Sequence, residues 1–233
     1  MIRNGNMLQL VVFLGNPGSE YKLSRHNAGW MLADALPFFP VLDWQKKFKG
    51  LYTCIDRARL QADSGIAGIP GEMPMKIHFL KPQTYMNLSG ESVMAAASFY
   101  KIKLEEIIVV HDEIELPFGT LSLKFSGGLG GHNGLRSMKA SFGNADFWRL
   151  RVGIGRPDSR VPGKGGSLES SKEAGIADWV LSGFTADELE AFVPVYKAGA
   201  ELLVQALAAD PRLLLPEWTK KNCLVVEEPF DSL

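Results

Sequence analysis

The sequence is short of the residues that build covalent or metal-held frameworks. Only two cysteines occur in 233 residues, Cys54 and Cys223, and they form no C-x-x-C pair. A disulfide scaffold and a cysteine-ligated zinc site are therefore excluded, and a reducing, cytoplasmic setting is expected. Histidine is nearly as scarce: His26, His78, His111 and His132 contain no H-E-x-x-H pattern, so no metal site is expected. No apolar run approaches the ~18 residues of a membrane-spanning helix. Leu10 to Leu14 is too short for a secretion signal and meets Gly15-Asn16-Pro17-Gly18 at once. A G-x-S-x-G elbow is absent, which argues against a serine α/β-hydrolase. The glycine-rich segment Gly127 to Gly134 lacks the G-K-[ST] ending of a phosphate loop. Counted from Gly128, it carries Asn133 where G-x-G-x-x-G ends in glycine.

What is present is an ordinary globular composition, 46% hydrophobic and 22% charged, at a length suited to one domain over residues 1–233. The net charge is −1, but it is unevenly spread. Residues 1–115 hold twelve basic and twelve acidic side chains. Residues 116–166 hold eight basic and two acidic ones, and residues 167–233 hold five basic and twelve acidic ones. The middle block fits either a solvated basic face or a surface that meets phosphates. A polyanion would be drawn there and repelled by the C-terminal third.

Strand and helix signals alternate along the chain. Residues 8–14 form a short β-branched-rich run and residues 107–110 an apolar one, as buried strands do, and residues 76–80, stopped by Pro82, read as another strand. Residues 120–125 and 148–154 alternate with period two, as half-buried strands do. Ser24 is placed to cap a helix over 25–36. Ser89 is placed to cap another, with Met94, Ala95 and Phe99 along one face. Pro157 to Gly175 reads as a mobile loop. Thr185 with Glu188 forms a capping box for a helical segment over 186–220, with Phe192, Tyr196, Gly199, Leu203 and Ala206 as its apolar stripe. The pattern predicts an α/β domain with a central sheet.

The polar residues of interest fall where strands end. Asn16 follows the first strand and His26-Asn27 opens the first helix. Asn87 follows the second strand, Asp112 closes the third, and His132-Asn133 follows the glycines. In open α/β sheets the ligand crevice lies beyond the carboxyl ends of the strands. A histidine held by a carboxylate can take a proton from water, and amides can donate to a developing oxyanion. Taken singly, Asn16 equally fits a turn, Asp112 a cap, and Tyr21 and Tyr85 a core or rim.

At these positions the chain resembles the bacterial peptidyl-tRNA hydrolases. The matching blocks are LGNPGSEYKLSRHNAGW (14–30), FLKPQTYMNLSG (79–90), VVHDEIELPFGTLSLKFSGGLGGHNGLRSM (109–138) and FWRLRVGIGRP (147–157), with a weaker IADWVLSGF (176–184). The resemblance implies a single domain with a twisted, mixed sheet flanked by helices, usually monomeric. It implies hydrolysis of the ester between peptide and tRNA, with peptidyl-tRNA as partner and no metal or organic cofactor. It implies His26 as general base, Asp112 as its partner, and Asn16 as a reader of the peptide. Tyr21, Tyr85, Asn87 and Asn133 match substrate-contacting positions. Lys124, Arg136, Arg149 and Arg151 become the expected phosphate contacts. Leu129 stands where many relatives carry a second histidine, and Ser122 occupies a position that is often basic. Relatives of this fold that bind RNA without hydrolysis supply the alternative; hydrolysis of a small acyl ester is disfavoured by the basic block.

Overall fold

The computed structural model describes residues 7–38, 42–57, 60, 76–157 and 172–224. Its frame is one mixed sheet of eight strands: β1 (Leu10–Phe13), β2 (Gln45–Lys47), β3 (Gly50–Asp56), β4 (Lys76–Pro82), β5 (Ile107–Glu113), β6 (Thr120–Phe125), β7 (Trp148–Gly153) and β8 (Lys221–Asn222). The order across the sheet is β2-β3-β4-β1-β5-β7-β6-β8. The four middle strands, β4, β1, β5 and β7, run parallel, and both flanks are antiparallel. Among the described residues, six helices with given bounds accompany the sheet: α1 (Ala28–Asp34), α2 (Ser89–Tyr100), α3 (Asn133–Phe142), α4 (Lys172–Leu181), α5 (Ala186–Ala208) and α6 (Leu215–Trp218).

Both faces of the middle strands are covered, which is why β1 is apolar at every position rather than at alternate ones. Val11 and Phe13 point into a core shared with α1 and α5, including Leu32, Phe192 and Leu203. Leu10, Val12 and Leu14 point the other way, into a core shared with α2 and α3 through Val93, Ala97, Leu135 and Met138. The two helices on that side approach closely. A Cβ on Gly90 would lie 2.2 Å from the Ser137 carbonyl oxygen, so only glycine fits the crossing. Among the described residues, α5 is the one helix long and apolar enough to cross a membrane, yet more than half of its apolar stretch is buried in the fold.

Several local expectations are corrected. Ser24 precedes a 3₁₀ turn (Arg25–Asn27) rather than capping an α-helix, and its side chain caps nothing. Ser89 is the first residue of α2, and Leu88 occupies the cap position. The buried face of α2 is Ser92, Val93, Ala96 and Ala97, so Phe99 is 62% exposed and Ala95 exposed. Small residues were needed against α3, and that need outweighed side-chain size. In β6, Ser122 is buried because its hydroxyl donates to the Thr219 carbonyl, 2.6 Å away, beneath α6. The Thr185–Glu188 capping box forms, and the stripe after it faces the core. Of the expected loop, residues 158–171 lie outside the described residues, while residues 172–175 belong to α4. The C-terminal helical segment is broken after Ala208, resuming as a 3₁₀ turn at Pro211–Leu214 and then α6.

Candidate active site

β1 and β5 lie side by side and parallel, so the turn after β1 and the end of β5 meet at one edge of the sheet. Asp112, in the last turn of pleat of β5, is 2% exposed. One of its oxygens, Oδ1, is shared by two histidines: His26 Nδ1 at 2.8 Å and His132 Nε2 at 2.9 Å. His132 precedes α3, and its Nδ1 accepts the Gly134 and Leu135 N–H groups at 3.1 and 3.4 Å. A nitrogen that accepts two amides carries no proton, so the neutral ring holds its proton on Nε2 and donates it to Asp112. His26 likewise donates from Nδ1. Its Nε2 makes no protein hydrogen bond among the described residues, and the ring lines a cleft of about 370 Å³.

Burial alone would raise the Asp112 pKa, but the two imidazoles outweigh it by charge and hydrogen bonding. The carboxyl is held well below the usual carboxylate range. His111, fully buried behind the pair, donates from Nδ1 to the Asp112 carbonyl over 2.7 Å, while its Nε2 has no hydrogen-bond partner among the described residues. Burial, followed by the neighbouring His132, pushes its pKa far down, so it stays neutral. His26, Asp112 and His132 also form the one group of potential metal ligands found among the described residues, their donor atoms within 4.8 Å of one another. His26 Nδ1, Asp112 Oδ1 and His132 Nε2 are hydrogen-bonded to one another, and His132 Nδ1 to the α3 amides.

A second amide network fixes the turn before His26. Asn27 Oδ1 accepts the Asn16 N–H at 2.8 Å, and Asn27 Nδ2 donates to the Asn16 carbonyl at 3.0 Å. The Asn16 side chain reaches across to β4's exit and accepts the Met86 N–H through Oδ1 at 2.8 Å. The Asn16 Nδ2 protons make no hydrogen bond among the described residues and are available to donate.

A family model described as peptidyl-tRNA hydrolase matches residues 10–222. A peptidyl-tRNA hydrolase of Treponema pallidum is 46% identical over 222 residues, covering 93% of this chain and 97% of that protein. The chain belongs to the peptidyl-tRNA hydrolase family. A second relative, the peptidyl-tRNA hydrolase of Desulfitobacterium hafniense, is 41% identical over 82% of this chain and 89% of its own length. Among solved structures, a peptidyl-tRNA hydrolase in complex with n-propanol superposes with a TM-score of 0.68 at 30% identity, covering 93% of this chain and 97% of that one. An Arg119Gln mutant of the Acinetobacter baumannii peptidyl-tRNA hydrolase gives 0.68 at 28% identity, over 95% of this chain and 96% of that one.

The expected site residues fall into three groups. His26, Asp112 and Asn133 line the cleft, together with Arg136 and with Ile176 and Val180 of α4. Asn16 is buried beside it, joined to the β4 exit where Tyr85 and Asn87 stand exposed; Tyr21 is half-buried on the 3₁₀ turn at Ser19–Tyr21. The expected basic contacts divide. Lys124 and Arg136 are exposed. Arg149 is not: it is 2% exposed and its guanidinium donates to the Gly128 and Gly127 carbonyls at 2.6 and 2.9 Å. A direct phosphate contact from Arg149 is therefore withdrawn. Arg151 is paired with Glu113 at 3.1 Å and donates to Ser122. Leu129 packs its side chain against the core beside α3. Sequence reasoning placed His132 and Asn27 among the polar residues near the strand ends but, unlike Asn133, gave them no role of their own. Their adjacency to Asn133 and His26 in two polar pairs was the available signal.

Proposed function

We propose that this protein hydrolyses the ester bond between peptide and tRNA in peptidyl-tRNA, with His26 as the general base. The observation that carries the reading is the His26–Asp112 hydrogen bond, which holds the ring proton on Nδ1 and leaves a bare Nε2 in the cleft. In this reading Nε2 takes a proton from water, and the oxygen attacks the ester carbonyl carbon. The tetrahedral intermediate then collapses, the peptide keeps the new carboxyl, and the ribose oxygen leaves with the proton held by His26. Asp112 stays ionised and stabilises the transient imidazolium. Asn16 Nδ2 and the Asn133 amide are the donors assigned to substrate carbonyl oxygens, with Asn87, Tyr85 and Tyr21 on the peptide side. Lys124 and Arg136 are assigned to phosphates of the tRNA arm. The reading uses protein groups and water alone.

Release of free tRNA from peptidyl-tRNA is the test. His26→Ala should lower turnover by ~10²–10⁴ while tRNA affinity is retained. Wild-type turnover in that variant would remove His26 from the chemistry. Binding of tRNA with no release by the wild-type protein would favour a non-catalytic RNA-binding role.

A further inference from the structure

His26 is flanked by two residues that are anchored to different parts of the fold. Asn27 is tied to Asn16, as described above. On the other side, Arg25 is 3% exposed although its side chain is charged. Its Nη2 donates to both Glu188 oxygens at 2.7 Å, and its Nη1 to Ser182 Oγ at 2.9 Å and the Gly183 carbonyl at 2.6 Å. The guanidinium plane lies over Trp179, 3.8 Å from the ring centroid, with Phe184 at 5.0 Å. The backbone joins as well: Arg25 N–H donates to the Ser182 carbonyl at 3.0 Å, and Phe184 N–H to the Leu23 carbonyl at 3.0 Å. Trp179 is itself pinned by its indole N–H to the Gly155 carbonyl at 2.9 Å.

Trp179 belongs to α4, the helix whose Ile176 and Val180 line the cleft that His26 enters. Glu188 also accepts the Thr185 N–H at 2.8 Å, closing the capping box that starts α5. One carboxylate thus fixes the start of α5 and the side chain beside the candidate base. We infer that Arg25 is a positioning residue that locks the His26 turn to α4, so that the base and the apolar wall of the cleft are set at a fixed distance. The inference rests on the general-base reading of His26. Arginine is required for it: five donors in a planar fork meet two carboxylate oxygens and two further acceptors while stacking on an indole. A lysine ammonium has the charge but neither the plane nor the donor count.

The experiment compares Arg25→Lys and the milder Glu188→Gln with Thr185→Ala. The last removes the capping hydroxyl without touching Arg25. Turnover and KM on peptidyl-tRNA are measured well below each variant's Tm, and the His26 ring nitrogens are followed by ¹⁵N NMR. Arg25→Lys should lower kcat by about ten- to a hundredfold with KM within about twofold, because a misplacement of about 1 Å costs on that order. Its His26 signals should move from a single Nδ1–H tautomer toward a mixture, and Glu188→Gln should show the same change to a smaller degree. Thr185→Ala should lower Tm and leave both readouts unchanged. If Arg25→Lys and Glu188→Gln lower Tm but keep wild-type kcat and wild-type His26 signals, the latch is structural only and the inference is overturned. Failure of the His26 reading itself would appear separately, as activity retained in His26→Ala. The ring spectra would still decide whether Arg25 orients His26.

Discussion

A single carboxylate oxygen serving two imidazoles sets the chemistry of individual residues. Because His132 is fixed as a donor by the α3 amides, it serves Asp112 rather than substrate. Asp112 is held ionised far below neutrality, so it cannot be the group whose protonation stops activity as pH falls through the mildly acidic range. Asp112→Asn should therefore lower kcat by about 10²–10⁴ yet leave an acid limb in the pH–rate profile. Loss of that limb would assign it to the carboxyl. A second expectation concerns Asn16, whose oxygen is engaged by the Met86 N–H. Asn16→Asp keeps that acceptor but removes the free donor, and should cost about 10²-fold in kcat/KM, as loss of one oxyanion donor does. Equal activity would show that Asn16 only shapes the turn. The placement of His26, Asp112 and Asn16 at strand ends was legible in the sequence because strand ends are few and polar residues there stand out. The roles expected of them came from the family resemblance. His132 and Asn27 stood among those polar residues without an assigned role, and Arg25 was not singled out. Their roles depend on partners that the chain brings from 11 to 163 positions away.

Among the elements, the glycine loop between β6 and α3 shows how charge counting and burial part company. The basic block and the family resemblance placed Arg149 and Arg151 with the phosphate contacts, and their spacing of two sets them on one face of β7. They do share it, but that face is covered, and their charges go to the Gly127 and Gly128 carbonyls and to Glu113. Arg149 therefore holds the loop that delivers His132. Arg149→Met should destabilise the fold by about 2–3 kcal/mol, since two part-buried carbonyls lose a charged donor. Activity should fall alike on full-length peptidyl-tRNA and on a minimal substrate lacking the duplex arm. Lys124 and Arg136 are different. Their joint replacement by Ala should raise KM for the full-length substrate and make the salt dependence shallower by about two units in log–log slope, while the minimal substrate is unaffected. An unchanged salt slope would remove them from the tRNA interface. The helix α2 carries the same lesson. Its apolar spacing was readable, but its buried face was chosen by the close approach of Gly90 to Ser137, which no single-chain periodicity encodes.

For the whole molecule, β1 and the strands around it were readable because burial on both faces leaves unbroken apolar runs. The antiparallel flank β2–β3 was not. Its residues are mixed in polarity, and its register is set by pairing Gly50 to Asp56 against Pro82 to Lys76. The strand it pairs with, β4, holds a buried titratable group with a consequence for stability. His78 on β4 is 7% exposed, and Tyr52 hydroxyl meets its Nδ1 at 2.7 Å. Tyr100 stacks on its ring at 4.1 Å. Burial, with Lys76 and Lys47 adding positive charge nearby, lowers its pKa from 6.5 to about 4. His111 is shifted the same way by complete burial. In the unfolded chain these imidazoles take up protons as pH falls through about 6.5, whereas the folded chain keeps His78 neutral until about 4. Protons then favour the unfolded state throughout that window, and stability falls as pH drops from 6.5 to 4. The His78 shift alone corresponds to about 3 kcal/mol. The Asp112 carboxylate acts in a lower window, where its contribution is lost as pH falls below about 4. Urea unfolding at pH 7.5, 5.5 and 4.5 should show the decline. His78→Gln, which keeps a neutral partner for Tyr52, should flatten it by the His78 share. An identical pH slope in wild type and His78→Gln would show that His78 protonates freely in the folded protein.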